Sequence, residues 1–200
     1  MFCVFFEVQP KPGQGDAYLD IAAAMRRQVE AIDGFLDVER FRDPERSGAF
    51  LSFSTWRDEK ALVRWRTDAR HHAAQARGRT DIFDDYRIRI GEMIHDDEAG
   101  TVADQHRFDA TATGEAKVMT MTEHATGARV EAPGALSVRT FDSVLREGRS
   151  ATLTGWPGEA AAQALATPPG ARSRRFRIVR DYTLAGREEA PQYFAPVPSG

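Results

Sequence analysis

The 200-residue sequence predicts an α+β fold, a sheet backed by helices, and three observations carry that prediction. Segments of strand character and of helical period alternate in the order strand, helix, strand, strand, helix, strand over residues 1–96. The first strand is apolar on both faces, so it needs cover on both. Residues 117–200 echo the order of the first half.

The first strand is Phe2-Cys3-Val4-Phe5-Phe6-Glu7-Val8, rich in aromatic and β-branched residues, and it stops at Gln9-Pro10-Lys11-Pro12-Gly13. From Asp16 to Asp33 the apolar residues Tyr18, Ile21, Ala22, Met25, Val29 and Ile32 recur at helical spacing, with Gly34 as the stop. Phe35–Arg42 and Ala49–Trp56 read as antiparallel strands around the turn-rich Asp43-Pro44-Glu45-Arg46-Ser47-Gly48. Thr55-x-x-Asp58 reads as a capping box that opens a second helix, whose apolar stripe runs through Leu62, Trp65, Ala69, Ala73 and Ala76. Asp85–Ile94 alternates, with Tyr86, Ile88 and Ile90 on one side and Arg87 and Arg89 on the other. This is the split βαβ arrangement of ferredoxin-like folds.

Phe2, Val4, Phe6 and Val8 point one way and Cys3 and Phe5 the other, and the helices can cover only one of these faces. A second sheet is therefore expected on the other face, with a ligand chamber between the two layers. The second half can supply that sheet. Its strands are expected at Val118–His124, Arg139–Leu145, Arg149–Trp156 and Arg174–Thr183, with a short alanine-rich helix at Gly158–Ala166 and no counterpart of the first helix. Ser54-Thr55-Trp56-x-x-Glu59 precedes Thr154-Gly155-Trp156-x-x-Glu159 by 100 residues, and Tyr86-Arg87-Ile88 precedes Phe176-Arg177-Ile178 by 90. The expected organisation is a domain at 1–96, a polar linker at 97–116 and a degenerate second repeat at 117–200.

Composition excludes several classes of function. With 27 basic and 30 acidic residues and a net charge of −3, no overall positive field draws the chain to nucleic acid or anionic lipid. The apolar start Met1–Phe6 is far shorter than the roughly 20 residues of a membrane span and lacks the basic start of a signal peptide. Cys3 is the single cysteine, which rules out an internal disulfide and thiolate zinc sites and fits a reducing, cytoplasmic setting. No phosphate-binding loop, dinucleotide fingerprint, zincin helix or nucleophile elbow occurs. No cofactor and no metal are expected.

On a continuous second helix His72 lies at the edge of the apolar stripe and His71 on the opposite, solvated side. His72 is thus a candidate to exchange a proton with a substrate. Trp65, Phe83 and Tyr86 read as core or as pocket lining.

Trp56-Arg57-Asp58-Glu59-Lys60-Ala61-Leu62, Trp65-Arg66, His71-His72-Ala73-Ala74-Gln75-Ala76-Arg77-Gly78-Arg79 and Asp85-Tyr86-Arg87-Ile88-Arg89-Ile90 resemble the antibiotic biosynthesis monooxygenase domain family. The resemblance covers residues 1–96 and implies a dimeric-type α+β barrel, formed by a homodimer or by an intramolecular pseudo-dimer. It implies a cofactor-independent monooxygenase acting on a small aromatic or polyketide-like substrate. The alternative is a non-catalytic barrel that binds a small hydrophobic ligand or is purely structural. The family's haem-degrading branch is disfavoured, because Gln75 stands where that branch has a histidine and the first strand holds no asparagine. RNA binding is disfavoured too, since Arg46-Ser47-Gly48 replaces the expected lead-in to Ala49-Phe50-Leu51-Ser52-Phe53. Under the oxygenase reading His72 and Tyr86 are the catalytic candidates, Arg87 a candidate anion stabiliser, and Trp65, Phe83, Phe5 and Phe53 the substrate pocket.

Overall fold

A computed structural model of the chain describes residues 1–102 and 104–190. Residue 103 of the expected linker and residues 191–200 of the expected second repeat lie outside the described residues. The first half runs β1 (Phe2–Pro10), α1 (Gly15–Ala24), α2 (Arg26–Glu30), β2 (Phe35–Arg42), β3 (Phe50–Trp56), α3 (Glu59–Thr67), α4 (Ala69–Arg77), a π-helical turn (Gly78–Ile82) and β4 (Phe83–Asp96). The short β5 (Gly100–Thr101) folds back on β4. The second half runs β6 (Val118–Ala125), β7 (Ser137–Ser143), β8 (Arg149–Trp156), α5 (Glu159–Gln163) and β9 (Arg172–Thr183).

Each half lines up its strands in the same way, β4-β1-β3-β2 and β9-β6-β8-β7, and both edges of one half pair with the other. The eight strands close into an antiparallel barrel within a single chain. The two seams are unequal. Between β4 and β9 the pairing runs from Arg87↔Thr183 to Asp96↔Arg174, whereas β2 and β7 share only Phe41↔Ser143 and Arg42↔Asp142. Gly91 marks a bulge in the tighter seam, where an added Cβ would lie 3.1 Å from the Arg177 carbonyl oxygen.

The doubly apolar first strand finds cover on both sides. Cys3 and Phe5 join Leu51, Phe53, Met121 and Phe176 in a buried core inside the barrel. Phe2, Val4, Phe6 and Val8 face outward and pack beneath the helices. The expected chamber between the sheets is corrected here. That space is packed with side chains, with Phe5, Phe53 and Phe176 in mutual contact at ring-centroid distances of 5.0, 5.4 and 5.7 Å. A wider, polar hollow of about 430 Å³ is confined to one mouth of the barrel, where Glu7 accepts from Arg89 and Arg139 and where Asp181 pairs with Arg87.

Local details also depart from expectation. Asp58, not Thr55, caps α3, its carboxylate accepting from the Ala61 amide at 2.8 Å. The expected helix at Asp16–Asp33 is α1 followed by α2, joined at Met25. The 100-residue echo holds in register, because Phe2 pairs with Trp56 as Val118 pairs with Trp156. The 90-residue echo fails: Phe176 points into the barrel, while Tyr86 faces the helices. Ladder register instead matches Phe6 and Ile88 with Thr122 and Ser173. No helix among the described residues is long and apolar enough to cross a membrane.

Candidate functional site

A cavity of about 240 Å³ lies between the helices of the first half and the outward face of β1, β2, β3 and β4. Its floor is an apolar row of Val4, Phe6, Ile88 and Ile90, flanked on β2 and β3 by Arg40, Ser52 and Ser54. Trp65, Phe83 and Tyr86 line it, and Phe83 and Phe6 meet edge to face at 5.6 Å. Phe5 and Phe53 do not line it. They alternate with Phe6 and Ser52 along their strands, so the pleat turns them into the packed barrel.

The helical wheel fails between Trp65 and His71 because the expected single helix is two. At Asp68 the backbone leaves helical geometry (φ −58°, ψ 131°), and its carboxylate accepts from the Arg70 and His71 amides, each at 3.0 Å. A fresh N-cap starts α4 at a new angle. His71, expected in solvent, therefore lines the cavity, and His72, expected near it, does not. The His71 ring stacks on Trp65, with centroids 4.1 Å apart and planes 12° apart. Its Nδ1 lies 2.9 Å from the Trp65 carbonyl oxygen. A carbonyl oxygen only accepts, so Nδ1 carries the hydrogen and Nε2 keeps a lone pair. Burial holds the imidazole neutral and lowers its pKa to about 4, against the smaller opposing pull of the Trp65 carbonyl and Asp68.

His71, Gln75 and Arg79 follow at four-residue intervals and all line the cavity, with Ala74 and Gly78 between them leaving room. A polar rail on the helical side thus faces the apolar floor. At its end the Arg79 guanidinium, itself buried, donates to the Tyr86 hydroxyl. Arg187, from the segment after β9, donates to the same oxygen at 2.9 Å. Two donors take up the hydroxyl's acceptor positions, so its own hydrogen is left to donate. Tyr86 is thereby set up as a donor toward an oxygen atom of a ligand, held by two cations. Among the described residues no aspartate or glutamate lines the cavity. Nearby Tyr182 is buried, which pushes its phenol up to about 12.

Arg87 is on the other face of β4, where its guanidinium donates to both oxygens of Asp181 at 2.8 and 2.7 Å, so it cannot stabilise an anion beside Tyr86. Among the described residues no group of three His, Cys, Asp or Glu side chains is placed to hold a metal ion. His71, Gln75, Arg79 and Arg187 were missed as site residues in the sequence reading. An aspartate seven residues before the glutamine was the available signal for the first two, since Asp68-Ala69-Arg70-His71 has the composition of a helix start. Arg187 is 101 residues from its partner and carried no local signal.

The description "Antibiotic biosynthesis monooxygenase" belongs to the family model that matches residues 1–77. A relative from Pyricularia oryzae named jasmonate monooxygenase ABM is 36% identical over 98% of this chain and 99% of its own length. The uncharacterized protein YqjZ of Bacillus subtilis is 32% identical over 45% of this chain and 75% of its own. Protein PA3566 of Pseudomonas aeruginosa, a solved structure, is 22% identical, covers 44% of this chain and 89% of its own, and has a TM-score of 0.40. The full-length relative, together with the matching family model, shows that the chain belongs to the antibiotic biosynthesis monooxygenase family.

Proposed function

We propose that the chain is a cofactor-independent monooxygenase that oxidises a small, largely apolar, aromatic or polyketide-like substrate in the helix-side cavity. The observation that carries this reading is the union of an apolar row on β1 and β4 with a polar rail ending in a doubly braced tyrosine hydroxyl. An apolar cavity with a few convergent polar groups is the usual form of a small-molecule site. Trp65 and Phe83 are walls that hold a flat ring system, and Tyr86 is the donor to the oxygen on which negative charge gathers. In this reading residues 1–96 form the catalytic unit, 97–116 the connection, and 117–200 a degenerate repeat that completes the barrel.

Without a bound cofactor the substrate supplies the electrons. A ring CH2 beside a conjugated carbonyl loses a proton, the resulting enolate combines with O2, and the hydroperoxide sheds water to leave a new carbonyl. One CH2 and one O2 become one C=O and one H2O, which balances. The relative's name adds jasmonate, a cyclopentanone carboxylic acid, to the substrates worth testing. Hydroxylation of such a compound consumes two further electrons, so that assay includes an external reductant.

Oxygen uptake with 1,8-dihydroxyanthrone, followed together with the absorbance of the quinone product, tests the proposal. The wild-type chain is expected to turn over and Tyr86→Phe to lose about 100-fold in kcat. Tight binding without oxygen consumption, with either substrate, would assign the cavity to a ligand-binding role instead.

A further inference from the structure

We propose that His71, through Nε2, is the base that takes the proton from the bound substrate, and that Tyr86 receives the oxyanion so formed. This assignment rests on the oxygenase reading and adds to it the identity of the group that starts the reaction. Three features of the site carry it. The ring lines the cavity and stands on the same helical rail as Arg79, which braces Tyr86. Its tautomer is fixed by the Trp65 carbonyl at 2.9 Å, so the lone pair is on the other nitrogen. The indole stacked on it at 4.1 Å fixes the plane of the ring and shields it from solvent. A base must be unprotonated at the moment of use, and burial keeps this imidazole neutral across the neutral range.

The step is a proton transfer. The C–H bond of the substrate breaks, Nε2–H forms, and the electron pair moves through the conjugated system to the carbonyl oxygen, where the Tyr86 hydroxyl donates to it. The substrate class follows from this. It is a carbonyl compound with an acidic C–H in conjugation, or its phenolic tautomer, flat enough to lie between Trp65 and the floor row Phe6 and Ile88. The imidazolium returns its proton when water leaves the hydroperoxide, so the residue ends neutral.

The experiment separates this step from oxygen chemistry. 1,8-Dihydroxyanthrone is mixed with the protein at pH 7 without oxygen, and the rise of the absorbance band of its anion is followed in time in wild type, His71→Phe and His72→Phe, each checked for a cooperative melt. Phenylalanine keeps an aromatic ring against Trp65, one atom larger than the imidazole, and has no nitrogen to take a proton. The anion band is expected to rise at the same rate in wild type and in His72→Phe, and at least about tenfold more slowly in His71→Phe, with the affinity for the neutral form within about twofold. On admitting oxygen, kcat of His71→Phe is expected to fall about 100-fold with little change in KM. An equal rate of anion formation in His71→Phe, a slower one in His72→Phe alone, or no anion band in wild type would overturn the assignment. Anion formation that depends on His71 but leads to no oxygen uptake would uphold the base and overturn the oxygenase reading.

Discussion

Acid should destabilise this fold through His71 before it acts on the carboxylates, and the size of the effect follows from the site. The ring's pKa is lowered from 6.5 to about 4 by burial. A folded-state value below the unfolded one means that the unfolded chain binds the extra proton. The contribution is therefore fully present above pH 6.5 and is lost as pH falls from 6.5 toward about 4. Taken over the whole interval it amounts to about 3 kcal/mol. His71→Phe removes this sensitivity and also removes the hydrogen bond to Trp65, worth about 1 kcal/mol. The Trp65 carbonyl keeps a second partner, the Asp68 amide at 3.2 Å, so no buried acceptor is orphaned. Wild type should thus be more stable than the variant at pH 7 by about 1 kcal/mol, less stable by about 2 kcal/mol at pH 4, and equal to it near about pH 6. Carboxylates held low by arginines, such as Asp43 and Asp96, act in both proteins and below this window, because they are lost as pH falls through values beneath 3.8. Urea unfolding of both proteins at half-unit steps of pH measures the crossing. Two parallel curves would refute the claim that this imidazole is buried neutral.

Trp65→Ala should cost about 2–3 kcal/mol of stability, less than a fully buried tryptophan, and weaken 1,8-dihydroxyanthrone binding about tenfold. Unchanged affinity in a folded variant would remove Trp65 from the site. Gly78→Ala places a methyl carbon 2.4 Å from Cε2 of Phe83, although the backbone there is helical (φ −55°, ψ −46°) and gains about 1 kcal/mol of helix propensity. Displacing Phe83 toward Phe6 and Tyr86 costs about 1–3 kcal/mol, so calorimetry should show a lower melting temperature together with weaker ligand binding. Asp181→Ala strips the buried partner from Arg87 and Arg89 across the β4–β9 seam. Because Glu7 still pairs with Arg89, the loss should be about 3 kcal/mol, the low end for a broken buried pair, and urea unfolding should remain one transition for both halves.

The fold was legible because its signals are local and periodic. The alternation in the first strand specified both of its faces, and the requirement for a second sheet followed without any knowledge of the partner strands. What the alternation could not show was where space remains. An apolar face calls for cover, but cover by Phe41, Phe141 and Phe176 fills the barrel, whereas cover by helices that carry Ala74 and Gly78 leaves a cavity. The same residues that demanded the second layer, Phe5 and Phe53, therefore became core and not lining. Trp65 and Tyr86 line the cavity because each is on the helix-side face of an element whose phase the spacing gives, whereas Phe83 precedes the expected strand Asp85–Ile94 and comes to that face through the register shift opposite Pro10. His71 was lost to a single residue, since Asp68 interrupts the helix and a wheel drawn through it rotates everything beyond. Arg187 shows the other limit: it reaches Tyr86 only because the barrel closes, a consequence of topology and not of spacing.

Closure within one chain also bears on how many sites the molecule carries. A symmetric dimer must build the same cavity twice, whereas a barrel from two unequal halves need not. On the outward face of the first half Phe6 and Ile88 offer no polar atom, so that surface gains by covering itself with an apolar ligand. At the matching positions of the second half stand Thr122 and Ser173, whose hydroxyls bond each other at 3.1 Å. His124 and Thr152 pair beside them at 2.8 Å, and the Trp156 indole donates to Thr120 at 2.9 Å. These groups are already buried and satisfied, and a ligand entering among them would have to break bonds it could not replace. The second half can thus bury this face with the short α5 alone, which packs Ala162 against Val118 of β6, and with no counterpart of α1. Isothermal titration with 1,8-dihydroxyanthrone should accordingly find one ligand per chain, bound about tenfold more weakly by Trp65→Ala. Two equivalent ligands per chain would mean that the hydroxyl-lined face opens as readily as the aromatic one, and the argument from its hydrogen bonds would be wrong.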